Sequence, residues 1–310
     1  MKNFTSKSQS FSYDNLAMDT LVRVVINSLP SPSSKRNYSM SIRDFLEYLE
    51  EHEGSNLDKL FLQTYIAYMQ DNGVGEGSIN LRLAAIRKLS REAEDLNVWP
   101  ESVAAAFASV KNIPQRGNRT GNWLSLEQAQ MLINSPDISK LVGLRDRALL
   151  SVLLGCGLRR HEVAKLKLSH LQLREGRWII SDLVGKRNKT RTIVVPGWAK
   201  QAINAYLEKI DIDSGFLFKA LTKAGTILRE RISVENVRYI VGKYAKKCGL
   251  SISTHDLRRT YAKLAWKNGA KIDQIQLNLG HESLSTTQIY LGTELDLKKG
   301  PGDYLSISIF

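Results

Sequence analysis

The feature that most constrains the fold is a change in composition at residues 111–122, KNIPQRGNRTGN. This stretch holds a proline, two glycines and three asparagines but no long apolar run, as interdomain linkers do. The chain has 310 residues, which is enough for a separate core on each side of the stretch. The sequence therefore predicts two domains, 16–110 and 123–310, preceded by a polar, flexible N-terminus at 1–15.

Helical patterns fill the predicted first domain. Ser31 is placed to cap a helix whose first turn contains Pro32. The apolar positions that follow fall on one helical face, namely Tyr38, Ile42, Phe45, Leu46 and Leu49. Further helices are predicted at 57–71, from Ser78 onward and at 100–110. We therefore expect a bundle of about four antiparallel helices.

The predicted second domain combines helices with a short hairpin. Helices are predicted at 125–134, 141–154, 198–209, 234–248, 256–268, 272–279 and 285–290. Two short strands, near 177–184 and 190–195, are joined by the basic sequence GKRNK. The final residues, DYLSISIF, alternate apolar and polar side chains, which predicts a terminal strand. The expected fold class is mainly α with a small antiparallel β-sheet (α+β).

Charge and cysteine content narrow the range of partners. Lysine and arginine number 44 against 31 acidic residues, a net charge of +13 that favours DNA or RNA. A ribosomal protein, a membrane-surface protein or a merely soluble basic surface would share this balance. Cys156 and Cys248 lack a metal-like spacing, and no signal peptide or membrane span is recognisable. We expect a cytoplasmic protein with no membrane partner.

Four short segments of the second domain concentrate basic and nucleophilic side chains. In GLRRHE (157–162), Arg159 is predicted at a helix N-terminus, where exposed N–H groups favour a phosphate. Glu162 is spaced to hold its guanidinium. In the hairpin VGKRNKTR (184–191), Lys186 stands at the end of a strand, where it could reach into a groove and donate a proton. The plain alternative for Arg159 is a surface ion pair with Glu162, and for the hairpin it is a solvated or DNA-contacting turn.

The third segment is THDLRRT, residues 254–260. Thr254 is predicted to cap a helix, and His255 and Arg258 then project from one face of its first turn. A histidine and an arginine that meet at a helix start suggest an oxyanion site, although a capping pattern with a solvated arginine fits as well.

The fourth segment is LGHESLSTTQIY, residues 279–290. Gly280 is predicted to end a helix, His281 to lie in the turn, and Tyr290 to end the short helix that follows. A lone tyrosine at such a place is more often a core aromatic. Each of the four signals is weak alone, and their combination is what points to a function.

That combination resembles the tyrosine recombinase (phage integrase) family. GLRRHE matches the family's Gly-Leu-Arg-x-x-Glu box, GKRNKTR its lysine hairpin, HDLRRT its His-x-x-Arg box, and LGHESLSTTQIY its Leu-Gly-His…Tyr ending. The boxes also follow the family order. They span 157–290, whereas the first domain is similar to the family's helical core-binding domain only in type and position. The resemblance therefore implies a core-binding domain followed by a tyrosine-recombinase catalytic domain.

The resemblance implies a catalytic set of six residues: Arg159, Lys186, His255, Arg258, His281 and Tyr290. Tyr290 would be the nucleophile, and the two arginines and His281 would hold the scissile phosphate. His255 would assist proton transfer, while Lys186 would protonate the leaving 5′ oxygen. Lys189 is a rival for that last role, but Lys186 follows a glycine as in the family pattern. Glu162 would support Arg159 from behind.

DNA contacts are expected from the linker and the hairpin, at Lys111, Arg116, Arg119, Arg187, Lys189 and Arg191. A solvated linker is the alternative for the first three of these. The implied partners are double-stranded DNA and further copies of this chain in a tetramer, and accessory DNA-bending proteins would be compatible. No cofactor is implied, because arginines would do the electrostatic work of a metal and a phosphotyrosine conserves the bond energy. No Walker motif is present.

The predicted function is site-specific recombination through a 3′-phosphotyrosine and a Holliday junction. The terminal strand, 303–310, would pack on a neighbouring subunit within the tetramer, or in cis as the plain alternative. We favour the integrase of a mobile element. The alternatives are a Xer-type chromosome-dimer resolvase, a type IB topoisomerase-like enzyme that acts as a monomer, and a DNA-binding relative without activity.

Overall fold

The computed structural model describes residues 15–114, 122–184 and 190–291, and the chain divides into two compact units, Met1–Asn118 and Arg119–Phe310. The division lies within 111–122, and the domain boundaries given above stay a prediction. Arg116, Arg119, the hairpin 185–189 and the predicted terminal strand lie outside the described residues. No helix in the described part of the chain is both long and apolar enough to cross a membrane.

The first unit is helical throughout its described part. Its helices are α1 Asn15–Asn27, α2 Pro32–Glu51, α3 Lys59–Asp71, α4 Glu76–Asp95 and α5 Glu101–Ser109. Ser31 caps α2 as predicted, because its hydroxyl accepts a hydrogen bond from the Ser34 N–H at 3.1 Å. Ile42, Phe45 and Leu49 are buried, which confirms the predicted apolar face. The described part of this unit therefore has five helices where about four were predicted, because α1 was not predicted as a separate helix.

The second unit is built around α7, which is buried on almost every side. Its helices are α6 Leu126–Asn134, α7 Leu141–Cys156, α8 Arg160–Lys165, α9 Gly197–Ile210, α10 Val234–Lys247, α11 Thr254–Lys267, α12 Ile272–Leu279 and α13 Leu284–Leu291. Its strands are β1 Leu171–Arg174, β2 Arg177–Val184, β3 Thr190–Val194, β4 Ala220–Leu221 and β5 Ile227–Arg229. The predicted α+β class with a small antiparallel sheet is confirmed.

The sheet order is β1-β2-β3, and both pairings are antiparallel. The predicted hairpin strands are present, but β1 and the short β4–β5 pair were missed. β1 has only four residues, and a tight turn with positive φ at Glu175 and Gly176 joins it to β2. The inner face of the sheet packs Ile180 and Ile193 into the main core.

Candidate active site

The Arg159 turn is set by the glycine at the end of α7. Gly157 has φ +61°, and a Cβ at this position would lie 2.6 Å from a ring carbon of Tyr261. Only glycine fits both constraints. The chain then buries Leu158 and places Arg159 as the N-cap of α8, as predicted. The Arg159 side chain is 29% exposed, so it can meet a ligand.

Glu162 holds Arg159 in the way the sequence predicted. Its carboxylate accepts the backbone N–H of Arg159 at 2.8 Å and the side-chain Nη1 at 3.2 Å. Burial disfavours the ionised form, but hydrogen bonds and charge from Arg191 and Arg159 outweigh it and lower the pKa of Glu162. Glu162 is therefore a buried anion with two arginine partners.

Arg191 lies where we did not expect it. We predicted a DNA contact, yet its side chain is 10% exposed and its donors point into the protein. Nη1 and Nη2 donate to the two Glu162 oxygens at 3.0 and 2.8 Å, and Nε donates to the Asn278 carbonyl at 2.9 Å. In the described contacts, Arg191 connects β3 to Glu162 and to the C-terminal end of α12.

Arg258 projects from the first turn of α11 and is 1% exposed. Nη1 donates to the Gly157 carbonyl at 2.6 Å, and Nη2 donates to the Leu279 carbonyl. These carbonyls belong to the C-terminal ends of α7 and α12, where a cation is favoured. Arg258 thus joins two helix ends, and its guanidinium has five N–H donors in all.

The start of α11 differs by one residue from the prediction. Ser253, rather than Thr254, is the N-cap, and its N–H donates to the Asp256 carboxylate at 2.8 Å. An acidic side chain three residues after a serine is the capping-box spacing, and this signal was present in the sequence. His255 lies in the same turn. Partial desolvation, followed by the charges of neighbouring arginines, lowers its pKa.

His281 lies directly after Gly280, which ends α12 with φ +63° as predicted. Its Nδ1 and the Oγ1 of Thr287, a fully buried residue on α13, are hydrogen-bonded at 3.0 Å. Desolvation first, and then four cationic groups, lower the pKa of His281 to about 4. In decreasing order of effect, those groups are Arg258, Arg159, His255 and Arg191.

The structure therefore brings six of the predicted residues together: Arg159, Glu162, Arg191, His255, Arg258 and His281. Tyr290 is the penultimate residue of α13, the helix joined to His281 through Thr287, and its side chain is outside the described part. Lys186, Arg187 and Lys189 also lie outside it. Lys111 is exposed in the first unit, beside a shallow pocket that Lys59 also lines.

Sequence reasoning missed Thr287 and Asn278. The Asn278 amide donates to the Cys156 carbonyl at 3.0 Å, which links the end of α12 to the end of α7. Neither residue belongs to a charged or nucleophilic pattern, so the sequence held no signal for them. The assembled site is a concentration of positive charge that suits an oxyanion such as a phosphodiester.

Two family models match the chain. The phage integrase family matches residues 122–294, and the phage integrase N-terminal SAM-like domain matches residues 25–95. The chain is 29% identical to tyrosine recombinase XerC of Pelotomaculum thermopropionicum, over 87% of this chain and 90% of that protein. It is 31% identical to tyrosine recombinase XerA of Thermococcus onnurineus, over 84% of each.

A solved structure shares the fold. XerH site-specific recombinase, in a post-cleavage complex with a palindromic difH substrate, aligns with a TM-score of 0.70 and 19% identity. The alignment covers 92% of this chain and 87% of that one. Because the integrase model covers more than half of the chain and a relative exceeds 30% identity, the chain belongs to the phage integrase family, the tyrosine recombinases.

Proposed function

We propose that this protein is a site-specific recombinase that cuts and rejoins double-stranded DNA through a covalent bond between Tyr290 and a 3′ phosphate. One observation carries the proposal: Arg159, the His255–Arg258 pair and His281 come from three separate turns and converge beside the helix that bears Tyr290. Family membership gives the reaction class, and this convergence supports the residue roles.

In the proposed reaction, the Tyr290 oxygen attacks phosphorus and the bond to the 5′ oxygen breaks. A tyrosine hydroxyl has a pKa near 10, so its proton must be removed as it attacks, with His255 placed to assist. Arg159, Arg258 and His281 would stabilise the negative charge that develops on the phosphate oxygens. Lys186 would protonate the leaving 5′ oxygen.

Rejoining is the same step in reverse, with a 5′ hydroxyl attacking the phosphotyrosine. One phosphodiester is exchanged for another, so no ATP is needed, and the arginines supply the charge stabilisation. If the incoming hydroxyl belongs to a partner duplex, strands are exchanged through a Holliday junction. This exchange requires several copies of the chain on DNA, and we propose a tetramer. Accessory DNA-bending proteins would be compatible with it.

We further propose that residues 303–310 pack on the neighbouring copy. The catalytic unit has an apolar pocket of about 750 Å³, lined among others by Leu126, Ile133, Leu154, Trp198 and Leu264. Leu126 is 62% exposed and Trp198 is 46% exposed beside this pocket, and a contiguous exposed apolar surface is typical of an interaction site. Deletion of 303–310 should abolish ordered tetramers on DNA, and unchanged assembly would contradict this packing.

Two biological settings suit the proposed chemistry. The integrase of a mobile element is our first candidate. A Xer-type resolvase of chromosome dimers is the second, because the XerC and XerA relatives match along most of their length. Tiling the DNA next to the gene and the rest of the host chromosome in one cleavage assay would distinguish them. Cleavage confined to one of these regions identifies the setting.

The first experiment is covalent trapping in EDTA. Purified protein is mixed with nicked duplexes and resolved on a denaturing gel. We expect a slow protein–DNA band with the wild type and none with Tyr290→Phe. A band that persists in the variant would mean that another residue is the nucleophile. If the wild type gives no band on tiled DNA but relaxes supercoiled plasmid as a monomer, a type IB topoisomerase-like activity replaces the proposal. Binding without either activity indicates an inactive relative.

A further inference from the structure

Arg191 is the second residue of β3, immediately beyond the hairpin that carries Lys186. Its guanidinium makes three hydrogen bonds, all between 2.8 and 3.0 Å. The two bonds to Glu162 form a bidentate pair, in which both partners are largely excluded from water at 10% and 2% side-chain exposure. A planar fork suits this geometry, and the single ammonium group of a lysine would not reproduce it.

The two acceptors of Arg191 belong to different parts of the site. Glu162 is the carboxylate that also fixes the backbone and guanidinium of Arg159. Asn278 is three residues before His281, at the C-terminal end of α12. One guanidinium therefore connects the return strand of the hairpin to the Arg159 turn and to the His281 turn.

Gly280 makes room for this connection. A Cβ at position 280 would lie 3.1 Å from the Arg191 Cδ, which is closer than side chains ordinarily pack. The positive φ of Gly280 and the passage of the Arg191 side chain thus place two separate demands on the same residue.

We propose that Arg191 is a positioning residue for strand cleavage and not a DNA contact. It acts through Glu162 and Asn278. It fixes the position of β3 relative to the turns of Arg159 and His281, which bind the phosphate in the proposed reaction. This role rests on the proposed function. A displacement of about 1 Å in such a site can cost about a hundredfold in rate.

The test separates DNA binding from cleavage. Arg191→Met keeps the side-chain bulk and removes every donor, Arg191→Lys keeps the charge, and Arg177→Met removes an exposed arginine at the far end of the same sheet. The dissociation constant is measured on nicked duplex over a range of salt concentrations. The single-turnover rate of covalent complex formation is measured at saturating DNA.

We expect Arg191→Met to cleave about a hundredfold more slowly at saturating DNA, with an unchanged salt dependence of binding. Arg191→Lys should recover only part of the rate, and Arg177→Met should cleave like the wild type. A phosphate contact predicts the opposite pattern: weaker binding, a salt slope smaller by about one, and wild-type cleavage at saturation. That pattern would overturn the proposal.

A stability measurement protects the test against misfolding. Urea midpoints are compared for Glu162→Gln, Arg191→Met and the double variant. Because the two groups contact each other directly, the shift of the double variant should be smaller than the sum of the single shifts. Additive shifts would contradict an energetic coupling between Arg191 and Glu162, even if no variant cleaves DNA. Wild type and Tyr290→Phe are run alongside, so failure of the proposed function shows as an inactive wild type.

Discussion

Two parts of the catalytic unit hold the predicted active-site residues in different ways. Arg159 and Arg258 each follow directly on a leucine, Leu158 and Leu257, that is fully buried in the large core around α7. Helix α13, which carries the proposed nucleophile Tyr290, instead packs on a separate small cluster, whose buried members are Ala262, Ile275, Leu279 and Leu291. The turns that carry Arg159 and Arg258, here called the arginine frame, are therefore anchored to the main body of the unit, whereas the described side chains of α13 have a modest apolar attachment.

This difference suits the proposed chemistry. A phosphate clamp works best when its donors are fixed before the charge develops, because no reorganisation is then needed. A nucleophile that attacks and is later released has to change its position relative to the phosphate. Elements with few buried apolar contacts open at lower free energy than the core does. We therefore expect α13 to open locally while the arginine frame stays folded.

Substitution of Arg258 should have the largest effect, because this residue joins two helix ends and, under the proposed function, would also bind the phosphate. Arg258→Met would leave the Gly157 and Leu279 carbonyls without their guanidinium donors. We expect cleavage to fall by about a hundredfold or more, and the free energy of unfolding to fall by about 2–4 kcal/mol. Trapping on nicked duplex and urea unfolding measure the two. A stable variant that merely cleaves slowly would show that the frame does not depend on Arg258.

A matched pair of leucines tests the comparison most directly. Leu153 is fully buried in the main core, and Leu291 is 1% exposed in the small cluster. Leu153→Ala should lower the free energy of global unfolding by about 3 kcal/mol. Leu291→Ala should change global unfolding much less, because α13 opens before the rest, yet it should slow cleavage about tenfold. Equal losses of global stability would mean that α13 and the frame unfold as one unit.

The local geometry of this site could be predicted from the sequence, because it depends on nearby residues. Gly157 and Gly280 end helices, and Glu162 lies one helical turn after Arg159, so spacing alone reveals these features. The order of the boxes then indicated the family and the fold class. The predicted N-cap of α11, Thr254, differs by one residue from the observed N-cap, Ser253.

The distant contacts could not be predicted in this way. Arg191 meets Glu162 across 29 positions and Asn278 across 87, and its direction depends on the twist and register of a sheet whose first strand we missed. A basic residue next to a basic hairpin is typical of a DNA contact, which is why we interpreted Arg191 as one. Thr287 is polar, buried and unremarkable in sequence, and only the packing of α13 brings it to His281.

His281 lies at the junction of the two parts, so its titration should report on both. Its pKa of about 4 in the folded protein is below the ordinary value of 6.5, so the unfolded chain takes up the proton first as the pH falls. The titration of His281 therefore leaves the free energy of unfolding unchanged above pH 6.5. Between pH 6.5 and 4 it lowers that free energy by up to about 3 kcal/mol. His281→Asn should therefore show a flatter decline in unfolding free energy between pH 7 and 5. Parallel curves would contradict the shift.

The smallest expected effect comes from Lys263, which holds the far end of α13. Its ammonium donates to the carbonyl of Leu291, the last residue of the helix, and lies 5.7 Å from the Trp123 ring centroid and 5.6 Å from that of Trp266. A cation at a helix C-terminus and over aromatic rings stabilises by about 1 kcal/mol. Lys263→Met should therefore increase hydrogen exchange of α13 amides and slow cleavage several-fold, with little change in global unfolding.

Lys267 provides the matched control for this prediction. It lies 4.3 Å from the centroid of the same Trp123 ring, on the same helix, but no contact with α13 is described for it. Lys267→Met removes an equal charge and a similar aromatic contact, so a purely electrostatic effect on DNA binding would appear in both variants. If only Lys263→Met loosens α13 and slows cleavage, this helix is held by contacts distinct from those of the arginine frame. If both variants behave alike, the carbonyl bond contributes nothing, and α13 is held by the small apolar cluster and the contact between Thr287 and His281.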